Sequence, residues 1–378
     1  MSYLSTTEFL DDKDFVDRYM YTMRTGNLDL SWMDAATEDV EVQAANRRRG
    51  LTFRDLDVGS YGYTDLPPIA RGASTLAPRG AEEPPGLPDM NAGTVRKADV
   101  WAYNIEGYYE EAMSRQWNAA TDIPWKQLCE HDLGEDLGKA YSQLLTFLTE
   151  VEMIATDVPS KWLSQISADY FEVKNFIATQ CMDEARHAEI FRKRALTTGY
   201  GLMKASMQNE RNLKFLREAD SFAEASTTLH LQAEGFVLTL FRFSEYLAPT
   251  DGDKRLFRLV MQDEARHVGY GMQHLKWHLE NAPESREIIH RHLAEAENFV
   301  FGGIFAPEVL ESFVVLAGKG TGKDNIQQGL EIVNRFNIQQ VEEYFERLDK
   351  CGMPERRERS DLWKVLEMAR AGMAAARS

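Results

Sequence analysis

Cysteine is scarce in this chain, which carries three, at Cys129, Cys181 and Cys351. They are too few and too scattered for a disulfide framework or a cysteine-based zinc site. Such isolated cysteines are typical of reduced thiols in the cytosol. The first residues, MSYLSTTEFLDDKDF, are acidic and lack the basic start and the apolar run of a signal peptide. The sequence therefore predicts a cytoplasmic protein.

Basic residues are also fewer than acidic ones: the chain has 43 Lys and Arg residues and 60 Asp and Glu residues, which gives a formal net charge of −17. Binding of nucleic acid through neutralisation of phosphates is therefore not expected. No apolar run reaches the roughly 18 residues that a membrane-spanning helix needs, so we expect no membrane span. With 43% hydrophobic and 27% charged residues, the composition is that of an ordinary soluble globular protein.

The alternating pattern of β-strands is lacking as well, and from about residue 98 onward proline becomes rare while apolar residues recur at helical spacing. The sequence therefore predicts an all-α fold, and long helices with short loops favour an antiparallel bundle. One helix break is predicted at Asp157–Pro159 and others at Thr198–Gly201 and Ala248–Gly252. The predicted helices cover 98–116, 136–156, 172–197, 206–248, 253–281, 284–301, 324–349 and 359–376.

Proline and glycine are concentrated in residues 57–95. We interpret residues 1–97 as an irregular segment that wraps around the rest, with a flexible linker over 57–95 as the alternative. Residues 98–378 are then one helical domain, whose metal-binding core is expected over 136–281. Trp117 and Trp125 flank a turn just before this core, and we expect them to pin that turn against the bundle.

One pentapeptide, DEARH, occurs twice, in CMDEARHAEIF (181–191) and in MQDEARHVGYG (261–271). Residues i and i+3 of a helix share one face. Glu184 and His187 can therefore reach one metal ion together, and so can Glu264 and His267. A single Glu-x-x-His arises easily by chance on a solvated helix, but two copies on two predicted bundle helices are much more specific.

Each motif is preceded by a helix with a glutamate at a matching distance. Glu234 lies thirty residues before Glu264 in a very apolar stretch, and a buried carboxylate needs a counter-charge such as a metal ion. In the first half, Glu152 shares a stripe with apolar residues, whereas Glu150 falls on a more polar side. We choose Glu152 as the ligand and keep Glu150 as the substitute.

Four carboxylates and two imidazoles form the ligand set of di-iron and di-manganese carboxylate proteins. Carboxylate oxygens with one imidazole per metal suit iron or manganese. We therefore predict two iron ions as the cofactor, with a mixed Mn/Fe or a di-manganese pair left open.

These motifs resemble a known family. Glu152–Thr156 together with Met182–His187 resembles the first helix pair in the hydroxylase subunits of bacterial multicomponent monooxygenases. Glu234–Val237 with Gln262–Gly271 resembles the second pair, and ribonucleotide reductase small subunits and acyl-carrier-protein desaturases share the arrangement. The resemblance covers about residues 136–280. It implies a ferritin-like four-helix bundle core, here with additional helices and an irregular N-terminal segment.

The resemblance also implies roles for residues around the ligands. Asp263 is expected to accept a hydrogen bond from His187, and Asp183 one from His267, which would orient the imidazoles. The arginines of the two motifs would pair with buried carboxylates near the site; they are Arg186 and Arg266.

Three positions near the ligands need separate interpretation. His230 lies one turn before Glu234 and is interpreted as a core histidine, with a seventh ligand or a hydrogen-bond donor as alternatives. Phe191 stands where ribonucleotide reductases carry a radical-forming tyrosine, so radical storage is not expected. Leu238 stands where the monooxygenases have a threonine. Either a helix bulge brings Thr239 in for proton delivery, or protons reach bound oxygen differently.

The resemblance implies an O2-activating oxidase or monooxygenase acting on a small organic molecule by hydroxylation, N-oxygenation or desaturation. Its expected partners are O2, the substrate and an electron donor such as a reductase or a ferredoxin, and a homodimer is compatible with the sequence. Two other functions stay open: iron storage or peroxide detoxification, and a metal-free helical binding protein.

Overall fold

The computed structural model describes residues 8–28, 30, 33, 44–56, 66–70, 75–79, 81, 83, 86–304 and 306–375. Within these ranges the regular structure is helical, and extended backbone forms only three isolated bridges. The all-α prediction is confirmed. None of the helices in these ranges is both long and apolar enough to cross a bilayer. The helices are α1 (Lys13–Thr25), α2 (Lys97–Val100), α3 (Ile105–Ser114), α4 (Trp125–Glu130), α5 (Glu135–Leu163), α6 (Phe171–Thr197), α7 (Met207–Arg217), α8 (Phe222–Ser226), a π-helix (Thr227–Ala233), α9 (Glu234–Leu247), α10 (Asp251–Asn281), α11 (Arg286–Ile304), α12 (Pro307–Gly318), α13 (Lys323–Lys350), α14 (Arg356–Arg359) and α15 (Asp361–Ala375).

Four long helices form the centre of the molecule. α5 packs along α6, and α9 packs along α10, so that each DEARH helix has the preceding helix as its partner. α12 covers α5, and α13 covers both α12 and α9. At the start of α10, the Thr250 side chain caps the helix by accepting a hydrogen bond from the backbone N–H of Asp253.

α5 is longer than its sequence pattern predicts. We expected it to end at Asp157–Pro159, but the helix continues through Pro159 to Leu163. A proline inside a helix removes one backbone hydrogen bond. Val158, Pro159 and Trp162 are buried, and Val158 and Trp162 join the apolar cluster at this end of the bundle. Burial in that cluster offsets the lost bond, and this is why the predicted break is wrong.

The predicted helix 206–248 is interrupted. α7 ends at Arg217, and α8 begins only after Ser221, whose hydroxyl accepts a bond from the Glu224 N–H. The chain then winds into the π-helix directly before Glu234. The predicted helix 98–116 is likewise two short helices, separated at Asn104 with its φ of 58°. α1, α4, α12 and α14 were not predicted.

Several described stretches of the N-terminal segment contact the helical body, whereas α1 has no buried residue. The backbone N–H of Thr94 donates to Gln165 (2.8 Å), and the Tyr170 hydroxyl donates to the Val95 carbonyl (2.8 Å). Arg79 forms a buried ion pair with Glu172. The remaining parts of 57–95, which are 57–65, 71–74, 80, 82 and 84–85, lie outside the described residues.

Two apolar clusters occupy the bundle on either side of the middle of α6. Phe191 packs with Phe241 and Phe257 in one of them, and Phe176 packs with Tyr270 in the other. The stretch of α6 between Phe176 and Phe191 carries the first DEARH motif. The fold therefore places this motif between two apolar layers.

A buried ion pair joins α6 to the start of α10. Arg194 and Asp253 are both fully buried, and the Arg194 Nε atom donates to Asp253 Oδ1 (2.6 Å). The hydroxyls of Tyr141 and Thr250 also donate to this carboxylate. Removing one partner of such a pair leaves a buried charge without compensation.

We therefore expect Arg194→Met to lower the free energy of unfolding by about 3–5 kcal/mol, measured by urea denaturation of the metal-free protein. Arg258→Met is the matched control, because Arg258 pairs with Glu245 on the surface, where such pairs contribute at most about 1 kcal/mol. Equal losses in the two variants would show that the Arg194–Asp253 pair does not join these helices as described.

Candidate metal centre

Six buried side chains from four helices converge in the middle of the bundle. None of them is more than 3% exposed. They are Glu152 of α5, Glu184 and His187 of α6, Glu234 at the start of α9, and Glu264 and His267 of α10. The structure thus brings together all six residues that the sequence nominated as ligands.

The six side chains form two overlapping groups. Glu152 and His187 belong to one group, and Glu234 and His267 to the other, while Glu184 and Glu264 belong to both. Within each group, one potential ligand atom of every residue lies within 4.8 Å of the others. Two ions held in this way would share two carboxylates.

The oxygens of Glu184 and Glu264 are divided between the two histidines. Glu184 Oε2 lies 3.3 Å from His187 Nδ1, and its Oε1 lies 2.8 Å from His267 Nδ1. Glu264 Oε1 lies 3.2 Å from His187 Nδ1, and its Oε2 lies 3.7 Å from His267 Nδ1. Each carboxylate therefore spans the two groups, as a bridging ligand must.

Several polar atoms here are fully buried and make no hydrogen bond of normal geometry, even where a histidine nitrogen lies close to a carboxylate oxygen. They are Glu152 Oε1, Glu184 Oε1, Glu234 Oε2, both oxygens of Glu264, and His267 Nδ1. Buried polar atoms without well-formed hydrogen bonds are costly, so this many in one place indicates a site that binds cations. Four carboxylates would neutralise two divalent ions. The residues present fit a pair of iron or manganese ions.

The ionisable groups of the cluster perturb one another strongly. Burial raises the pKa of Glu152 and of Glu234 well above the usual value, and the neighbouring carboxylates Glu184 and Glu264 add to the rise. Burial alone would lower the pKa of His187 and His267, but the surrounding carboxylates raise both well above the usual value. In the metal-free protein, protons therefore take over part of the compensation that a metal would provide.

A ring of charged residues surrounds the ligands. His187 Nε2 lies 3.1 Å from Asp263 Oδ2, and His267 Nε2 lies 3.3 Å from Asp183 Oδ2. The bonds cross over, because the aspartate beside each Glu-x-x-His motif contacts the histidine of the other motif. With Nε2 held by an aspartate, each ring turns Nδ1 toward the glutamates.

Two arginines complete this ring. Arg186 donates to Asp183 and to Asp263 (2.9 Å), and Arg266 donates to Asp183 (3.0 Å) and Asp263 (2.5 Å). All four side chains are buried. The structure thus places them where the resemblance implied, with each arginine contacting both aspartates.

Trp117 contacts the same ring, which the sequence did not indicate. Its Nε1 donates to Asp263 Oδ2 (2.7 Å), and its ring stacks on His187 with centroids 6.3 Å apart. The Arg186 guanidinium lies 4.3 Å from the Trp117 ring centroid. Trp117 was interpreted only as a residue that pins a turn, because nothing in its local sequence indicates a contact 146 residues further along the chain.

A hydrogen-bonded chain supports Glu234. Gln180 Nε2 donates to Glu234 Oε1 (2.7 Å), Gln180 Oε1 lies 3.1 Å from His230 Nε2, and His230 Nδ1 lies 2.8 Å from Ser226 Oγ. Burial lowers the pKa of His230 to about 3, so its ring is neutral and can donate to Gln180 through Nε2. His230 is in neither ligand group; it acts on Glu234 through Gln180.

His230 has room because of a glycine on α10. A Cβ atom added to Gly271 would lie 2.1 Å from the His230 Cβ atom. Gly271 ends the stretch MQDEARHVGYG. This glycine therefore permits the close approach of the π-helix to α10.

Three candidates lie outside the cluster. Glu150 is half-buried and accepts a bond from Asn209 (2.8 Å), so Glu152 is the member of the pair that faces the histidines. Thr239 donates to Glu343 of α13 (2.6 Å), and the π-helix lies before Glu234 instead of between Glu234 and Thr239. Phe191 stacks on Phe241 and offers no hydroxyl.

A cavity of about 190 Å³ adjoins the cluster. Glu152, Glu234 and Glu264 form part of its wall, so it reaches both ligand groups. The other described residues of the wall are mostly apolar, with a few amide side chains and no lysine, arginine or histidine among them. A small molecule in this cavity would lie directly beside the ligands.

No model of a known protein family matches the sequence, and neither does any curated protein. Solved structures do match. They include three point variants of an R2-like ligand-binding oxidase with a reconstituted Mn/Fe cofactor, with TM-scores of 0.52, 0.53 and 0.54 and identities of 17%, 19% and 19%. Each match covers 66% of this chain and 94% of the other. At this identity the likeness shows the fold, and the predicted ferritin-like architecture is confirmed.

We expect metal affinity to rise with pH. Because the pKa values of Glu152, Glu234, His187 and His267 are raised, these groups hold protons in the metal-free protein, and a metal must displace those protons. Anaerobic Mn²⁺ titrations between about pH 6 and about pH 8 should show tighter binding at the higher pH, with proton release. A pH-independent affinity would contradict this description of the cluster.

We expect Gln180→Met to weaken metal binding selectively. Methionine has a similar length but cannot donate to Glu234, so affinity at the position of Glu234 and His267 should fall about 10- to 100-fold, with a smaller effect at the other position. The two steps of an anaerobic Mn²⁺ titration measure this. Thr179→Val is the control, because the Thr179 hydroxyl bonds only the Phe176 carbonyl of its own helix. Equal loss at both positions would contradict the selective role.

Proposed function

We propose that this protein is a di-metal oxidase that uses O2 to oxidise a small organic molecule. The observation that carries the proposal is the six-ligand cluster, whose carboxylate oxygens lie close together in the middle of the bundle without well-formed hydrogen bonds. Three of its glutamates also line a mostly apolar cavity. The cofactor we propose is a pair of iron ions, with a Mn/Fe pair as the alternative. The Mn/Fe cofactor named for the structurally similar oxidases supports that alternative.

When bound, a reduced metal pair supplies electrons for the reduction of O2. The protein's own residues do the remaining work. Glu184 and Glu264 span the two positions, while Asp183 and Asp263 hold the imidazoles in orientation through Nε2. The mostly apolar wall offers water few hydrogen-bond partners beside the ligands.

The reaction is proposed to be hydroxylation, N-oxygenation or desaturation, since each can proceed at this ligand set. Proton delivery through Thr239 has no support in the geometry, because its hydroxyl is bonded to Glu343. Thr239 is not among the described residues that line the cavity, and these residues include no hydroxyl, so water or the ligands themselves must handle protons there. An electron donor, a reductase or a ferredoxin, and a cytoplasmic location belong to the same proposal.

Glu234→Ala should reduce the metal content from about two ions per chain to about one, because the position shared with His267 loses its terminal carboxylate. The variant should also lose the O2 consumption that we expect of the anaerobically iron-loaded wild type. Metal analysis and an oxygen electrode measure the two effects. Glu150→Ala, a glutamate on α5 outside the cluster, is the matched control and should retain both.

Two results would contradict the oxidase. A wild-type protein that binds fewer than one metal per chain would argue for a metal-free binding protein. Accumulation of many irons per chain would argue for iron storage.

A further inference from the structure

We propose that the cavity binds a small uncharged apolar molecule that carries one hydrogen-bond acceptor, and that Gln232 binds this acceptor. The proposal rests on the proposed oxidase function, because it names the class of molecule that the metal centre would oxidise.

The size of the cavity limits the substrate. A cavity of about 150 Å³ in a protein core binds benzene. With about 190 Å³, the present cavity admits a molecule slightly larger than a single six-membered ring. A long flexible chain or a fused multi-ring compound would extend beyond this cavity or need the surrounding helices to move apart.

The chemistry of the wall limits the charge of the substrate. Its charged members are Glu152, Glu234 and Glu264, and these are the groups whose charge the metal ions would neutralise. No lysine, arginine or histidine occurs among the described residues of the wall, and these residues therefore offer no counter-ion for an anion. Phe147, Phe236 and other apolar residues make up most of the remaining surface. Such a wall favours an uncharged apolar body.

One amide in the wall has a donor atom that is fully buried and lacks a partner. Gln232 is 5% exposed, and its Nε2 atom has no hydrogen-bond partner although it is fully buried. Two other amides of the wall are engaged: Gln340 Nε2 donates to the Phe236 carbonyl (2.9 Å), and Asn209 Nδ2 donates to Glu150 (2.8 Å). A buried donor without an acceptor is destabilising, so its retention beside a cavity indicates a ligand that supplies the acceptor.

The π-helix gives Gln232 its position. It spans Thr227–Ala233 and ends directly before Glu234, so both Gln232 and Glu234 belong to the wall of one cavity although only one residue separates them. A molecule whose acceptor is bound by Gln232 is therefore held in the compartment that the metal ligands border. Gln232 is a specificity-determining residue in this proposal.

Two probes of nearly equal size test the proposal: ethylbenzene, which has no acceptor, and acetophenone, whose carbonyl is one. Their binding to the Mn²⁺-loaded protein is measured under argon by calorimetry. We expect acetophenone to bind more tightly than ethylbenzene by about 2- to 10-fold, the usual effect of one neutral hydrogen bond. Gln232→Met, which preserves the length of the side chain, should abolish this preference and leave ethylbenzene binding within about 2-fold of the wild type.

Gln340→Met is the matched control, because Gln340 lines the same cavity but its Nε2 already has a partner. It should retain the preference for acetophenone. Failure of the wild type to bind either probe, equal binding of both, or a preference that survives Gln232→Met would each overturn the proposal. Because the experiment uses no O2 and no turnover, those results would leave the oxidase proposal standing. Conversely, an absence of O2 consumption with an intact preference would refute the oxidase alone.

Discussion

The arrangement of this protein depends on the compensation of four carboxylates that have no access to water. Glu152, Glu184, Glu234 and Glu264 come from the four central helices, and each is at least 97% buried. Removal from water destabilises their negative charge, and positively charged groups must therefore surround them. Two histidines partly meet this need in the metal-free protein, and a pair of divalent ions would meet it fully.

The same requirement explains the crossed contacts between the two DEARH helices. Asp183 and Asp263 each contact the histidine and the arginine of the opposite motif. Neither motif is complete by itself, because the aspartate that orients its imidazole lies on the other helix. The repeat in the sequence is therefore reciprocal in the structure, and it fixes α6 and α10 relative to each other.

The two halves of the centre are nevertheless unequal. On the side of His267, Glu234 is tied through Gln180 and His230 to Ser226, and only its Oε2 atom lacks a partner. Within the described part of the protein, no comparable chain of hydrogen bonds supports Glu152, whose Oε2 atom lies 3.5 Å from His187 Nδ1. The π-helix before Glu234 produces this difference, because it carries His230 and Gln232 and has no counterpart in α5. One half is thus more rigidly supported, and the same half borders the unpartnered amide of the cavity.

The sequence by itself determined the parts that depend on local periodicity. The Glu-x-x-His spacing puts both ligands on one helix face whatever lies around the helix, and the apolar stripe distinguished Glu152 from Glu150. The sequence did not predict contacts between distant segments, such as those of Trp117 with Asp263 and of Gln180 with Glu234. It also did not predict that α5 continues through Pro159, because this depends on burial against other helices. The π-helix and the cavity also appeared only in the tertiary structure. They depend on how side chains from several helices fill a shared space, and that packing is not encoded in the spacing of residues along any one helix.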